Sequence, residues 1–340
     1  MSNRGRILVS YGFIIGFVLV VSFGLILLVG SSVSASMASF FNGIIGSWYS
    51  FSEVLVRATP LILAGLGVCV GFRTGFLNIG AEGQIYMGAI AITALGVFAP
   101  NIPAPFMIIL ALFVGFAAGG IWSVIPGLLK AHFGLSEVIN TIMFNYIAIN
   151  LVGILVRTVL RDPSYPYPMS PTLPSSASLF QLLPPTRLHA GILIALAMSV
   201  AIYFLMFRTS VGFCMRAVGL NKRASLCSGI SVRKYLSLSS FLSGALAGVA
   251  GVCEIAGLHH RLIEGLSPSY GYLAIIVALL GGNHPLKVVF SALGIAALQV
   301  GSLSMQRSAG VPTSIASIIM GMVVVMILAR KQLFGCKEAA

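Results

Sequence analysis

Long apolar runs separated by short polar joints dominate this chain from end to end. A helix needs about 20 apolar residues to cross the hydrocarbon core of a bilayer. The first such run, Ile7–Gly30, follows Arg4 and Arg6. It has no A-x-A-like cleavage site and is longer than the apolar region of a signal peptide, so it reads as a retained anchor. Further runs cover Ser52–Val70, Phe76–Phe98, Pro105–Leu129, Val138–Val156, His189–Phe207, Tyr235–Gly257, Tyr270–Leu280, Leu286–Leu303 and Pro312–Ala329. Together they predict an all-α polytopic membrane protein of about ten transmembrane helices, one domain over residues 1–340. The eighth run, Tyr270–Leu280, is too short to cross alone unless its flanks extend it.

Composition narrows the class. Of 340 residues, 58% are hydrophobic and 8% charged, against roughly 25% charged in soluble domains. Lipid is the solvent such a chain requires. The net charge of +13 could suggest nucleic acid, but the basic residues sit mostly in short loops, where membrane orientation explains them better. No nucleic-acid partner is expected. With the N-terminus placed in the cytoplasm, fourteen Lys and Arg fall inside and six outside. Arg73, Lys130, Arg216 and Lys287 are among the first group, and Arg157, Arg161 and Arg261 among the second. Both termini are therefore predicted to be cytoplasmic.

Two loops stand apart. An external segment, residues 161–188, contains seven prolines and cannot be helical throughout. An internal one, residues 208–234, carries six basic residues and is the longest predicted cytoplasmic segment, the natural place for a soluble partner to dock.

Several kinds of chemistry are missing. The five cysteines show no C-x-x-C spacing and imply neither disulfides nor a metal site. His259 and His260, adjacent in sequence, do not share a helix face and read as part of a hydrated loop. No phosphate-binding G-x-x-x-x-G-K-[ST] motif and no G-x-S-x-G motif occurs. Gly65 and Gly67, and the GxxxG pairs Gly12/Gly16, Gly115/Gly119 and Gly244/Gly248, read as helix-packing positions. Glu82 is the only acidic residue well inside a predicted span, so the wiring for a proton relay is sparse. The chain is read as a non-enzyme without cofactor, driven by another subunit.

The most informative stretch is GFRTGFLNIGAEGQIYMG, Gly71–Gly88. Four glycines from Gly71 to Gly83 interrupt an apolar run, with Asn78, Glu82 and Gln84 interleaved. Glycine weakens a helix by roughly 1 kcal/mol per site relative to Ala. A broken helix persists at membrane depth only where protein or a water-filled cavity covers the freed backbone. Two readings stand: a border of a transport path, or a tight crossing in which Glu82 pairs with Arg73 or with backbone. Candidate path residues are Asn78, Glu82, Gln84, Tyr86, Asn140 and Asn145, with Tyr146 nearby.

From Arg57 through this motif, RATPLILAGLGVCVGFRTGFLNIGAEGQ, the chain resembles the permease subunits of bacterial ABC importers for nucleosides and simple sugars, within the branched-chain amino acid/ribose permease family. SEVINTIMFNYIA (Ser136–Ala148), GFCMRAVGLNKRASLCSGISVRKY (Gly212–Tyr235), LSGALAGVAGV (Leu242–Val252) and GLSPSYGYLAIIVALLGGNHPL (Gly265–Leu286) extend the likeness over residues 50–330. The NIGAEGQ segment is closer to the nucleoside branch. The resemblance implies a multi-pass protein of the bacterial inner membrane, moving a small-molecule solute by alternating access. It implies as partners a separate ABC ATPase, a second related permease or a second copy, and a substrate-binding lipoprotein. A simple sugar or a flavin-type vitamin remains open as solute, and a self-sufficient secondary carrier is the rival class. The resemblance also implies an ATPase-coupling helix within Ala217–Gly229. There Gly219, Asn221, Lys222, Arg223, Ala224 and Gly229 are expected to matter, with Asn221, Lys222 and Arg223 presented to the ATPase. Many relatives are less basic after the Gly-x-Asn than this chain's NKRASLCSGI.

Overall fold

A computed structural model describes residues 3–326, apart from 313, 316, 320 and 324, with side chains from residue 16 onward. The expected span Pro312–Ala329 runs into residues outside the described set, as do Arg330, Lys331, Cys336, Lys337 and the C-terminus. Twelve α-helices are described: α1 Asn3–Leu28, α2 Val33–Ile45, α3 Trp48–Thr74, α4 Ala81–Phe98, α5 Ala104–Phe133, α6 Glu137–Leu155, α7 Gly191–Arg208, α8 Ser210–Leu220, α9 Lys222–Cys227, α10 Val232–Glu254, α11 Tyr270–Leu280 and α12 Pro285–Ala309. A π-helical turn, Ile255–His259, continues α10. Among the described residues there are no strands, only isolated bridges.

Among the described residues, seven helices are long and apolar enough to cross a membrane: α3, α4, α5, α6, α7, α10 with its π turn, and α12. An eighth span is possible if α1 and α2 count as one, although they are bent by 117° at Gly30. The helix α2 stands between the expected runs Ile7–Gly30 and Ser52–Val70. Ser32 starts α2 by N-capping, its hydroxyl accepting from the Ala35 N–H. The helix α11 has eleven residues. At 1.5 Å per residue it rises about 16 Å, about half a bilayer core.

The described chain falls into two compact units. In the unit of residues 1–54 and 293–340, Ile26, Met305, Val311 and Ile315 form a core, and Gly43 and Gly301 admit Ser304 and Phe40 respectively. In the unit of residues 55–292, α10 is clasped between α4 and α5 by backbone contact. A Cβ on Gly248 would overlap the Gly115 carbonyl, one on Gly88 the Gly248 carbonyl, and one on Gly251 the Ile85 carbonyl. Small residues let helices approach this closely where lipid supplies no hydrophobic drive between them. Gly115, Gly119, Gly244, Gly248 and Gly67 are thus packing positions, as the spacing predicts, whereas Gly16 faces open space.

The proline-rich segment, residues 161–188, is pinned down rather than free. Ser170, Leu173 and Leu179 donate backbone N–H bonds to Leu262, His260 and Ala256 (3.0, 2.8 and 2.8 Å). Proline-rich chain here makes its hydrogen bonds to the π turn and the strand-like loop after it. His259 and His260 therefore sit half-buried beneath this cover instead of in a hydrated loop, with His260 Nδ1 3.3 Å from the Ser178 hydroxyl. His189 is fully enclosed just before α7, its Nδ1 accepting from the Gly191 N–H (3.2 Å) and its ring filling the space left by Gly257.

Replacing Gly248 by Ala forces two backbones apart and is expected to destabilise by about 1–3 kcal/mol, read as a lowered melting temperature of the detergent-purified chain. Burial, helped by nearby His260, pushes the His189 imidazole down to about 4. The unfolded chain then takes up the proton first, so this contribution to stability is full above pH 6.5 and is lost as pH falls towards 4. Melting temperatures measured across that window should fall less steeply for His189→Asn than for the parent chain.

Candidate functional site

The motif read from the sequence lies where α3 ends and α4 begins. Thr74 closes α3, Gly75 turns the chain at φ +80°, and α4 restarts at Ala81. Residues 75–80 have lost helical pairing, and side chains replace it. Asn78, fully buried, donates through Nδ2 to Gln84 Oε1 (2.9 Å) and to the Ser243 hydroxyl on α10 (2.8 Å). Its Oδ1 accepts from the Gly80 N–H (2.8 Å) and from Gln84 Nε2 (3.1 Å). Asn78 and Gln84 thus form a reciprocal amide pair, with both side-chain hydrogen-bonding atoms of Asn78 used.

Asn145 on α6 covers the other side of the break. Its Oδ1 accepts from the Gly83 N–H (2.8 Å), and its Nδ2 donates to the Ile79 carbonyl (2.9 Å) and, more weakly, to Tyr272 Oη on α11 (3.3 Å). One side chain satisfies both a free donor of the α4 N-terminus and a carbonyl of the linker, which is what a helix end at membrane depth requires.

Glu82 completes the arrangement. It lies in the first turn of α4, and its Oε2 accepts from the Gly271 N–H in the first turn of α11 (2.7 Å). The Ser267 hydroxyl accepts from the next free donor of α11, the Tyr270 N–H (3.0 Å). The two helix starts are in backbone contact, since a Cβ on Gly271 would overlap Glu82. Two positive helix ends thus converge on one carboxyl group, the placement the helix dipole favours. Of the two pairings the sequence allowed, the backbone one is formed. Arg73 instead donates through Nε to the Asn283 carbonyl (2.5 Å). Tyr86 Oη accepts from the Ser267 N–H (3.4 Å).

Asn140 stands apart from this network, with a buried Nδ2 that has no partner among the described residues. One turn along α6, Phe144 meets Trp122 of α5 edge to face (5.3 Å), and Trp122 Nε1 is also unpartnered. Tyr146 is exposed. Lys130 and Glu137 close the α5–α6 joint as an ion pair (2.5 Å).

Within residues 208–234 the chain folds as two short helices, α8 and α9. Asn221 is the N-cap of α9, its Oδ1 accepting from the Arg223 and Ala224 N–H groups (3.0 and 3.1 Å). Its side chain thus caps the helix from an exposed position, and Lys222, Arg223 and Ala224 are exposed beside it. Gly229 follows α9 at φ +77°, a left-handed helix end open to glycine. Gly219 sits against the end of α3: a Cβ there would overlap the Arg73 carbonyl. Loop and motif are thus joined through the last turn of one helix. Sequence reasoning found the polar residues of the motif but not Ser243, Ser267 or Tyr272. Serine and tyrosine in apolar runs give no signal until their partners are known.

Residues 50–328 match the family model described as "Branched-chain amino acid transport system / permease component". The chain belongs to this family. The permease is 40% identical over 310 residues to "Guanosine ABC transporter permease protein NupP" of Bacillus subtilis, covering 89% of this chain and 88% of that protein. It is 36% identical over 292 residues to "Glucose ABC transporter permease protein TsgB13" of Haloferax volcanii, covering 83% and 77%. It is 32% identical over 344 residues to "Nucleoside ABC transporter permease protein NupB" of Lactococcus lactis subsp. cremoris, covering 96% and 92%. As a permease component it is a membrane protein and not an enzyme, and its family implies ATPase, binding-protein and second-permease partners.

In this permease, Glu82→Ala leaves the Gly271 N–H without an acceptor and is expected to cost about 1–3 kcal/mol. Glu82→Gln keeps an acceptor and should melt close to the parent chain. Equal destabilisation by both, in parallel thermal unfolding, would mean the charge rather than the hydrogen bond holds α11.

Proposed function

We propose that this chain is the membrane-spanning permease of an ATP-driven nucleoside importer of the bacterial inner membrane. The observation that carries the reading is the likeness, over nearly nine-tenths of both chains, to a guanosine permease, together with that to a nucleoside permease. The glucose permease among the relatives supports a simple sugar as the second reading. Solute is delivered by a binding lipoprotein at the external segments, residues 161–188 and 258–270, and the ATPase acts on residues 208–234 from the cytoplasm.

The geometry supports a route for the stroke. Force applied to the exposed basic face of α9 passes through Gly219 to the end of α3, and so into the break at residues 75–80. In this reading Asn78, Gln84, Asn145 and Glu82 hold the broken helices, and rearrange together as the path opens. Asn140 Nδ2 and Trp122 Nε1, two donors without partners, remain for acceptor atoms of a solute. Hydrolysis belongs to the ATPase, and two permeases, related or identical, enclose the path.

Uptake into proteoliposomes holding this chain, its partner permease, the ATPase and the binding protein tests this, with labelled guanosine, ribose and riboflavin compared. ATP-dependent guanosine uptake is expected. It should be strongly reduced by Lys222→Ala/Arg223→Ala, which leaves the α9 cap in place, with the complex still assembled. Uptake of ribose or riboflavin alone would replace the solute, and uptake by this chain without the ATPase would establish a secondary carrier.

A further inference from the structure

Where α3, α7 and α8 end beside the α11–α12 turn, there is a cavity of about 450 Å³, lined by Phe72, Arg73, Phe207, Arg216, Leu220 and Asn283. Both guanidinium groups lie on the Phe207 ring, 5.0 Å from its centroid for Arg73 and 4.9 Å for Arg216. Each is anchored by one backbone carbonyl, Asn283 for Arg73 and Met206 for Arg216. Among the described residues neither has a carboxylate partner. A guanidinium carries five N–H donors, so most of the donors of both remain uncommitted. His284 stacks on the same ring (5.2 Å), and burial, Arg73 and Lys287 all press its imidazole towards the neutral form. Its Nδ1 is buried without a partner. Two like charges gathered on one ring beside a cavity, with no acid to balance them, define a site for an anion.

The surroundings say what carries that anion. Leu193, Leu196, Val200 and Phe204 recur three or four residues apart along α7 and form one face leading to Phe207. They are 40–54% exposed, and Leu220 at the cavity's edge is 88% exposed. An apolar stripe running along a spanning helix into a paired-arginine cavity fits acyl chains below a phosphate. We propose that this cavity binds the phosphate of an anionic phospholipid through Arg73 and Arg216, with the acyl chains along the α7 face. Basic pockets between the ends of spanning helices recognise anionic headgroups through the same charge-assisted contacts. The site adjoins Gly219, so a bound headgroup braces the junction of α3 and α8. The inference rests on the chain's place in a membrane and not on which solute it carries.

Native mass spectrometry of the full chain in detergent tests it, with phosphatidylglycerol, phosphatidylcholine and inorganic phosphate as probes. The parent chain is expected to retain phosphatidylglycerol over phosphatidylcholine. Arg73→Gln/Arg216→Gln should weaken that retention by roughly tenfold or more, the loss expected for two charge-assisted contacts. Arg233→Gln/Lys234→Gln, on an exposed basic stretch, should not. Retention unchanged in the first variant, or lost equally in the second, overturns the site. Displacement by inorganic phosphate at equal concentration would make free phosphate the ligand and overturn the lipid. Should the arginine variant fail to fold, photoreactive phosphatidylglycerol on the parent chain decides. Crosslinks within residues 193–220 support the proposal, and crosslinks elsewhere alone overturn it. A variant that keeps its lipid but loses the ATPase would assign the arginines to an acidic protein surface instead.

Discussion

A helix that stops inside a membrane leaves backbone groups with nothing to bond, and the structure around residues 75–80 is organised by that constraint. Each unpaired group in hydrocarbon costs several kcal/mol, more than helix packing alone readily offsets. Asn78 and Asn145 meet it by acting as substitute backbone: their amides offer the donor and acceptor that a further helical turn would have provided. Five elements depend on these two residues. The linker and α4 are bonded directly, α6 supplies Asn145, α10 is tied in through Ser243 and α11 through Tyr272.

The same constraint explains α11. A helix of half a membrane's thickness has an end at depth, and its first N–H groups need acceptors. Ser269 precedes it at φ +67° with no capping bond of its own, so Ser267 and Glu82 act in its place. An acidic residue that looks isolated along the sequence is, in the fold, the cap of a helix almost 190 residues away. Buried polar networks of this kind are stable only when complete, because the low dielectric that strengthens each bond also penalises each gap.

Seven of the ten expected runs are span-length helices among the described residues, legible because apolar length is a property of the chain itself, and the family was legible because NIGAEGQ and the 208–234 segment are contiguous. The break was readable from Gly71 to Gly83, and so was a Glu82–backbone pair as one of two options. What could not be read was which distant residues complete the break: Ser243, Ser267 and Tyr272 carry no pattern of their own. The helix α2 lies between two expected runs for a related reason, since its start rests on the single capping contact of Ser32. The Asn221 side chain is exposed and also caps α9, a structural role that the spacing Gly-x-Asn does not announce. The external prolines predicted an irregular segment. Its hydrogen bonds to Ala256, His260 and Leu262 depend on contacts that local sequence does not encode.

The glycine seams of α10 have a mechanical side. Where Gly248 and Gly251 bring α10 into backbone contact with α4 and α5, no flexible side chain lies between the helices to absorb displacement. Any tilt of one is transmitted to the others nearly without loss, and the three behave as a single stiff lever. The compliance of this half of the molecule is left to its unwound joints, the linker before α4 and the turn before α11, which makes the polar bolt at Asn78 and Glu82 the fulcrum about which that lever can turn.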